Sequence, residues 1–178
     1  SVWLRTRRLW VRVLPGVLMS VDTQFNTLSH EDWMQRALRL ASQAFNDDEV
    51  PIGCVIIHDN KIIGQGYNQC ESLNDATAHA EMIAITAACS TLDDWRLNEC
   101  SIYVTKEPCS MCAGAIINSR IEKLYFGCYD KEFGACGSKF EVCGNSNFTT
   151  PSIIKGDILG ADASALLQQY FIKKRKEK

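Results

Sequence analysis

Trp33, Ala37, Leu40, Ala41 and Ala44 recur three and four positions apart, the spacing of one helical face. Ser29 precedes them, with Glu31 and Asp32 behind it, which is the chemistry of an N-cap and an acidic first turn. The pattern then changes period. Residues 52–58 and 62–67 read as two strands joined by a turn at Asp59 and Asn60. Residues 69–77 are polar and irregular and read as a loop, and helical spacing returns over about 78–91. A short buried strand follows at 101–105, ended by Lys106-Glu107-Pro108. Residues 109–118 form a helix of small residues, with Pro108 suited to its first turn. Another strand covers 121–127, and a closing helix at about 162–173 carries Leu166, Leu167, Tyr170 and Phe171. Between them, 128–150 is rich in Gly, Cys, Ser and Asn with little periodicity, the mark of a long functional loop or an insertion. Helices alternating with strands in this order predict an α/β fold, a three-layer α/β/α sandwich around a mixed central sheet.

Composition narrows the class. With 178 residues, 46% hydrophobic and 22% charged, the chain has the size and make-up of one globular domain with a core of its own. A net charge of −2 neither demands nor excludes an anionic partner. Nine cysteines, an odd number in a chain with long periodic apolar segments, fit a reducing compartment better than a disulfide framework. That points to the cytoplasm or nucleus. Residues 1–20 stand apart, with Arg5, Arg7, Arg8 and Arg12 and no acid before Asp22. Such a start suits an organellar transit peptide, but serine is scarce; the favoured reading is an upstream extension with Met19 as the working start. The domain itself is expected to span 21–178. No run approaches the roughly 18 apolar residues of a membrane span.

The chemistry begins at residues 76–85, ATAHAEMIAI, where one of only three histidines sits two places before Glu81 at a helix start. Thirty positions after His79 comes EPCSMC, with Cys109 and Cys112. A Cys-x-x-Cys pair opening a helix puts both sulfurs on one face, and the helix dipole there favours thiolate. Two thiolates and one imidazole give zinc three protein ligands and leave a fourth position for water, as in catalytic rather than structural sites. Glu81 is then placed to relay protons. His79, Glu81, Pro108, Cys109 and Cys112 match the H-x-E…P-C-x-x-C signature of zinc-dependent nucleobase deaminases. Two plainer readings compete. The Cys-x-x-Cys pair could serve redox chemistry, which leaves His79 and Glu81 idle. It could also belong to a structural zinc, closed by Cys54, Cys89, Cys100 or Cys128. Cys128, Cys136 and Cys143 are too widely spaced for a zinc knuckle and read as buried thiols.

At these residues the chain resembles the tRNA adenosine deaminases, both the bacterial enzymes and the catalytic subunit of the eukaryotic wobble-adenosine enzyme. The resemblance runs over residues 30–175 through VPIGCVII, GQGYN, DATAHAEMIAI and YVTKEPCSMCAGAIINSRI. FGCYDKEFGACGS is closer to the eukaryotic subunit, and Ala76 stands where bacterial members usually carry proline. The resemblance implies a cytidine deaminase-like fold and one catalytic Zn2+ per chain. It also implies hydrolytic conversion of adenosine to inosine at the tRNA wobble position, with Glu81 catalytic. By the same resemblance, Asn68 and the main chain around Ala80 hold the flipped base and ribose. Lys173, Lys174, Arg175, Lys176 and Lys178 form a basic tail beyond the last helix, suited to tRNA phosphates. The partner subunit is a second copy, as in bacteria, or an inactive deaminase-like companion, as in eukaryotes. Two other functions compete: a zinc deaminase of free cytidine, deoxycytidylate or guanine, and a non-catalytic RNA-binding subunit, against which Glu81 argues.

Overall fold

The computed structural model describes residues 2–5, 10–13, 28–147 and 151–177. Near the N-terminus, β1 (Val2–Arg5) and β2 (Trp10–Val13) pair antiparallel within the expected extension. Met19 lies outside the described residues.

Helix α1 (His30–Asn46) starts where the sequence places it. Ser29 Oγ accepts from the Asp32 backbone N–H at 3.1 Å, and Asp32 accepts from the Ser29 N–H at 2.9 Å, a reciprocal capping box. Strands β3 (Gly53–His58) and β4 (Lys61–Tyr67) form the expected hairpin. Asp59 and Asn60 both take positive φ (48° and 58°), the geometry of a two-residue turn that suits right-twisted strands. β5 (Ser101–Lys106), β6 (Lys123–Cys128) and a short β7 (Ile153–Lys155) complete a five-stranded sheet in the order β4-β3-β5-β6-β7. β3 runs antiparallel to β4 and β5, while β5, β6 and β7 are parallel, so the sheet is mixed.

Strands β3, β5 and β6 each feed two cores. Cys54, Ile56, Ile102, Val104, Leu124 and Phe126 face α3 (Ala80–Leu92) and α4 (Ser110–Asn118). Val55, Ile57, Tyr103 and Tyr125 point the other way, to Trp33, Met34, Ala37 and Leu38 of α1 and to Ala163 of α5 (Gly160–Lys176). Period-two alternation in the strands thus sorts residues onto the two faces of an α/β/α sandwich. Among the described residues no helix is long and apolar enough to cross a membrane, and all nine cysteines are free thiols.

Several expectations need correction. The polar stretch 69–77 contains a one-turn helix, α2 (Cys70–Leu73). α3 begins at Ala80 rather than about 78, because Asp75 takes the preceding backbone. Its carboxylate accepts from Thr77 N–H (2.8 Å) and Oγ1 (2.7 Å), and its carbonyl accepts from Ala78 N–H. β6 starts at Lys123, not 121, since Arg120 is left-handed (φ 61°) and Ile121 N–H still closes the end of α4 on the Ile116 carbonyl. β7 carries no signal of its own; three residues are too few to show a period. Finally, Lys173, Lys174, Arg175 and Lys176 are not a tail beyond the last helix. They are its last turn, where cations oppose the negative end of the helix dipole. Lys178 lies outside the described residues.

Candidate metal and active site

Two helix N-termini meet over one end of the sheet. His79 is the N-cap of α3 (φ −72°, ψ 154°) and Cys109 the N-cap of α4 (φ −73°, ψ 174°). Neither side chain caps its own helix, which leaves both free to face each other. Close packing of α3 on β4 sets where His79 sits. A Cβ on Gly66 would lie 2.7 Å from the Ala80 carbonyl oxygen, and one on Gly64 would lie 2.3 Å from that of Ala84. Only glycine admits the helix at that distance.

The imidazole Nδ1 of His79 lies 3.7 Å from Cys109 Sγ and 3.4 Å from Cys112 Sγ. All three donor atoms fall within 4.8 Å of one another, and this is the one such group of His, Cys, Asp or Glu among the described residues. With metal–ligand distances of ~2.3 Å to sulfur and ~2.0 Å to nitrogen, a tetrahedral ion places its N and S donors about 3.5 Å apart. The two N···S distances fall on either side of that value, so the donor set fits a tetrahedral metal ion. Cys54, Cys89, Cys100 and Cys128, the conceivable fourth ligands, are not part of the group. Among the described residues the group therefore holds three protein donors and no fourth. A hydrogen bond from the Cys112 thiol, with the nearby imidazole, holds the Cys109 thiol down at about 4 against the opposing effect of burial.

Glu81 sits on the first turn of α3, 4% exposed. Burial raises its pKa above the ordinary 4.5, outweighing its own backbone N–H and the Cys112 thiol, which both pull it down. Glu81, His79 and Cys109 line a cavity of about 440 Å³, whose wall also includes Asn68, Glu49, Lys106, Glu107 and Phe133. Asn68, singled out from the sequence, is there and nearly buried. Ala80 is fully buried at the start of α3, against Gly66, and is not among the lining residues.

The sequence reading missed what holds these walls. Glu107 is 3% exposed and gathers the loop after β6: its carboxylate accepts from the backbone N–H groups of Asp130 (2.9 Å), Cys136 (3.0 Å) and Ser138 (3.0 Å) and from the Ser138 hydroxyl. Lys106 pairs with Asp130 at 2.7 Å, and Ala135 N–H donates to the Pro108 carbonyl next to Cys109. The aperiodic 128–147 stretch is therefore a wall built onto the Cys109 segment, and it presents the exposed ring of Phe133 to the cavity. The available signal was two acids standing immediately or two places before proline, Glu107-Pro108 and Glu49-Val50-Pro51. At the far rim, Lys173 and Lys174 bind the Asp48 carboxylate, so two of the expected RNA-contacting cations already hold a partner. Arg175 instead lines a second cavity that shares Lys106 and Phe171 with the first.

The family model for MafB19-like deaminases matches residues 28–175. With the mixed sheet and the His/Cys/Cys group, that match makes this chain an enzyme of the cytidine deaminase-like class. A tRNA-specific adenosine deaminase of Bacillus subtilis is 36% identical over 148 residues, covering 83% of this chain and 92% of that protein. One from Haemophilus influenzae is 40% identical over 149 residues, covering 83% and 86%. A solved structure from studies of A-to-I editing by tRNA:A34 deaminases superposes with a TM-score of 0.71 at 38% identity, covering 75% of this chain and 97% of that one. The chain belongs to the tRNA-specific adenosine deaminase family.

Proposed function

We propose that this chain catalyses the hydrolytic deamination of adenosine to inosine at the wobble position of tRNA, with one zinc ion per chain. The observation that carries the reading is Glu81: a buried carboxylate beside three metal-donor atoms, on the wall of a cavity within the usual range of about 300–1,000 Å³ for ligand sites. His79, Cys109 and Cys112 hold the zinc. When bound, it supplies the Lewis acidity that makes water nucleophilic near neutral pH. Glu81 takes a proton from the water attacking C6 of the purine and delivers it to ring nitrogen N1. It then carries the second proton to the amino group, the C6–N bond breaks, and ammonia leaves. Asn68, on the cavity wall, orients the base and ribose. An anticodon loop is single-stranded, which keeps the cost of unstacking the target base to a few kcal/mol at most. Arg175 and Lys176, with Lys173 and Lys174 once these exchange Asp48 for phosphate, contact the RNA backbone. The reading includes a second deaminase-type subunit, either another copy or an inactive companion.

The test is to assay the purified zinc-loaded chain, alone and with a companion subunit, on several wobble-adenosine tRNAs and on free adenosine, cytidine, deoxycytidylate and guanine. Inosine forming in tRNA, with the free compounds untouched, is expected. Turnover of a free nucleoside, nucleotide or base with tRNA unchanged overturns the reading. So does inactivity on every substrate under both conditions, which would make this a non-catalytic subunit.

A further inference from the structure

We propose that Glu49 is a positioning residue that fixes which end of the Asn68 amide meets the substrate. The proposal rests on the reading above, in which Asn68 touches the bound nucleoside. Glu49 is fully buried yet carries a carboxylate, an expensive group to bury unless it is bonded. Its Oε2 accepts from Asn68 Nδ2 at 3.0 Å and from the Glu71 N–H at 3.3 Å, and its Oε1 accepts from the Ser72 N–H at 2.8 Å. An ionised carboxylate can only accept, so it can meet only the NH₂ end of the amide. On the other side the Cys70 thiol donates to Asn68 Oδ1 at 3.5 Å. Both neighbours select the same one of the two amide orientations, with Oδ1 turned away from Glu49.

Glu49 is itself held as a fixed reference. Its N–H donates to the Ala44 carbonyl at the end of α1. The preceding Asp48, left-handed at φ 62°, receives the Tyr170 hydroxyl on its carbonyl at 3.0 Å and Lys173 on its carboxylate at 3.1 Å. The α1–β3 connection thus carries the positions of α1 and α5 into the cavity through one carboxylate. A glutamine at 49 has nearly the same shape but offers both a donor and an acceptor, so it no longer distinguishes the two orientations of Asn68.

The experiment is a double-mutant cycle on the zinc-loaded chain, reading single-turnover inosine formation in tRNA for wild type, Glu49→Gln, Asn68→Ala and the double variant, with zinc content measured for each. Glu49→Gln is expected to slow the reaction about tenfold or more, the scale of one lost charge-assisted hydrogen bond. In the Asn68→Ala background the same change is expected to slow it no further, because the group it positions is gone. Losses that multiply, or a Glu49→Gln variant as fast as wild type, overturn the proposal. If Glu49→Gln fails to fold, Glu49→Asp, which keeps the charge but shortens the reach, takes its place in the cycle under the same criteria. A wild-type chain inactive on tRNA counts instead against the substrate reading.

Discussion

Glu81 shows how a single residue trades stability for chemistry. Its pKa is raised by burial, so the fold favours the protonated form, whereas the proposed reaction needs the carboxylate. The sign of the linkage follows. A carboxyl whose folded pKa lies above its ordinary 4.5 costs the fold nothing below that value, and it costs stability increasingly as pH rises through the folded pKa. Glu81→Gln removes the ionisable group. The metal-free variant should therefore melt higher than the metal-free wild type at pH 7, by differential scanning calorimetry, while the two converge near pH 4. With zinc restored, and bound in normal amount, the variant should lose roughly a hundredfold to ten-thousandfold in rate, the usual worth of a positioned proton carrier. Retained activity would remove Glu81 from the mechanism.

At the scale of elements, α3 and α4 each contribute a helix start, and the loop after β6 closes the cavity beside them. That loop has no regular ladder; its order comes from one buried carboxylate, Glu107, that collects three backbone N–H groups and a hydroxyl. Removing the acceptor strands these donors, two of them in buried residues, at about 1–3 kcal/mol apiece. Glu107→Ala should thus lower unfolding stability by roughly 3 kcal/mol or more in urea. It should also open Cys136 and Cys143, now 7% and 0% exposed, to a thiol reagent under native conditions. If both thiols stay protected, the loop is held by something other than Glu107.

For the whole molecule, the question is which cations face the RNA. Lys173 and Lys174 are engaged with Asp48, and this engagement holds the end of α5 against the α1–β3 connection. Arg175 lies beside the neighbouring cavity with Phe171 and Tyr129, an arginine among aromatic rings at the edge of the candidate active site. Arg175→Ala should therefore weaken tRNA binding and reduce the slope of log affinity against log salt by about one. Lys173→Ala should reduce that slope less, since its ammonium must first leave Asp48. Filter binding across a salt series separates the two, and equal slopes for both variants would mean the ion pair with Asp48 does not compete with RNA.

The sequence alone determined what local chemistry can encode. The capping box at Ser29 and Asp32, the two-residue turn at Asp59 and Asn60, and the short apolar runs of β3, β5 and β6 are all written within a few residues of one another. So is the H-x-E…P-C-x-x-C signature, because a metal site built on two helix starts confines its donors to fixed offsets from those starts. Tertiary structure decided the rest. Glu49 reads as the last acid of a solvated Asp-Asp-Glu run until Asn68, 19 positions on, is folded against it. Glu107 looks like a strand terminator until residues 130–138 return to it. The lysines of the last turn look like a free tail until Asp48, 125 residues away, is beside them. In each case a charged group is explained by partners that are remote along the chain. No period or motif can signal such a pairing, because it exists only once the sheet and its helices bring those segments together.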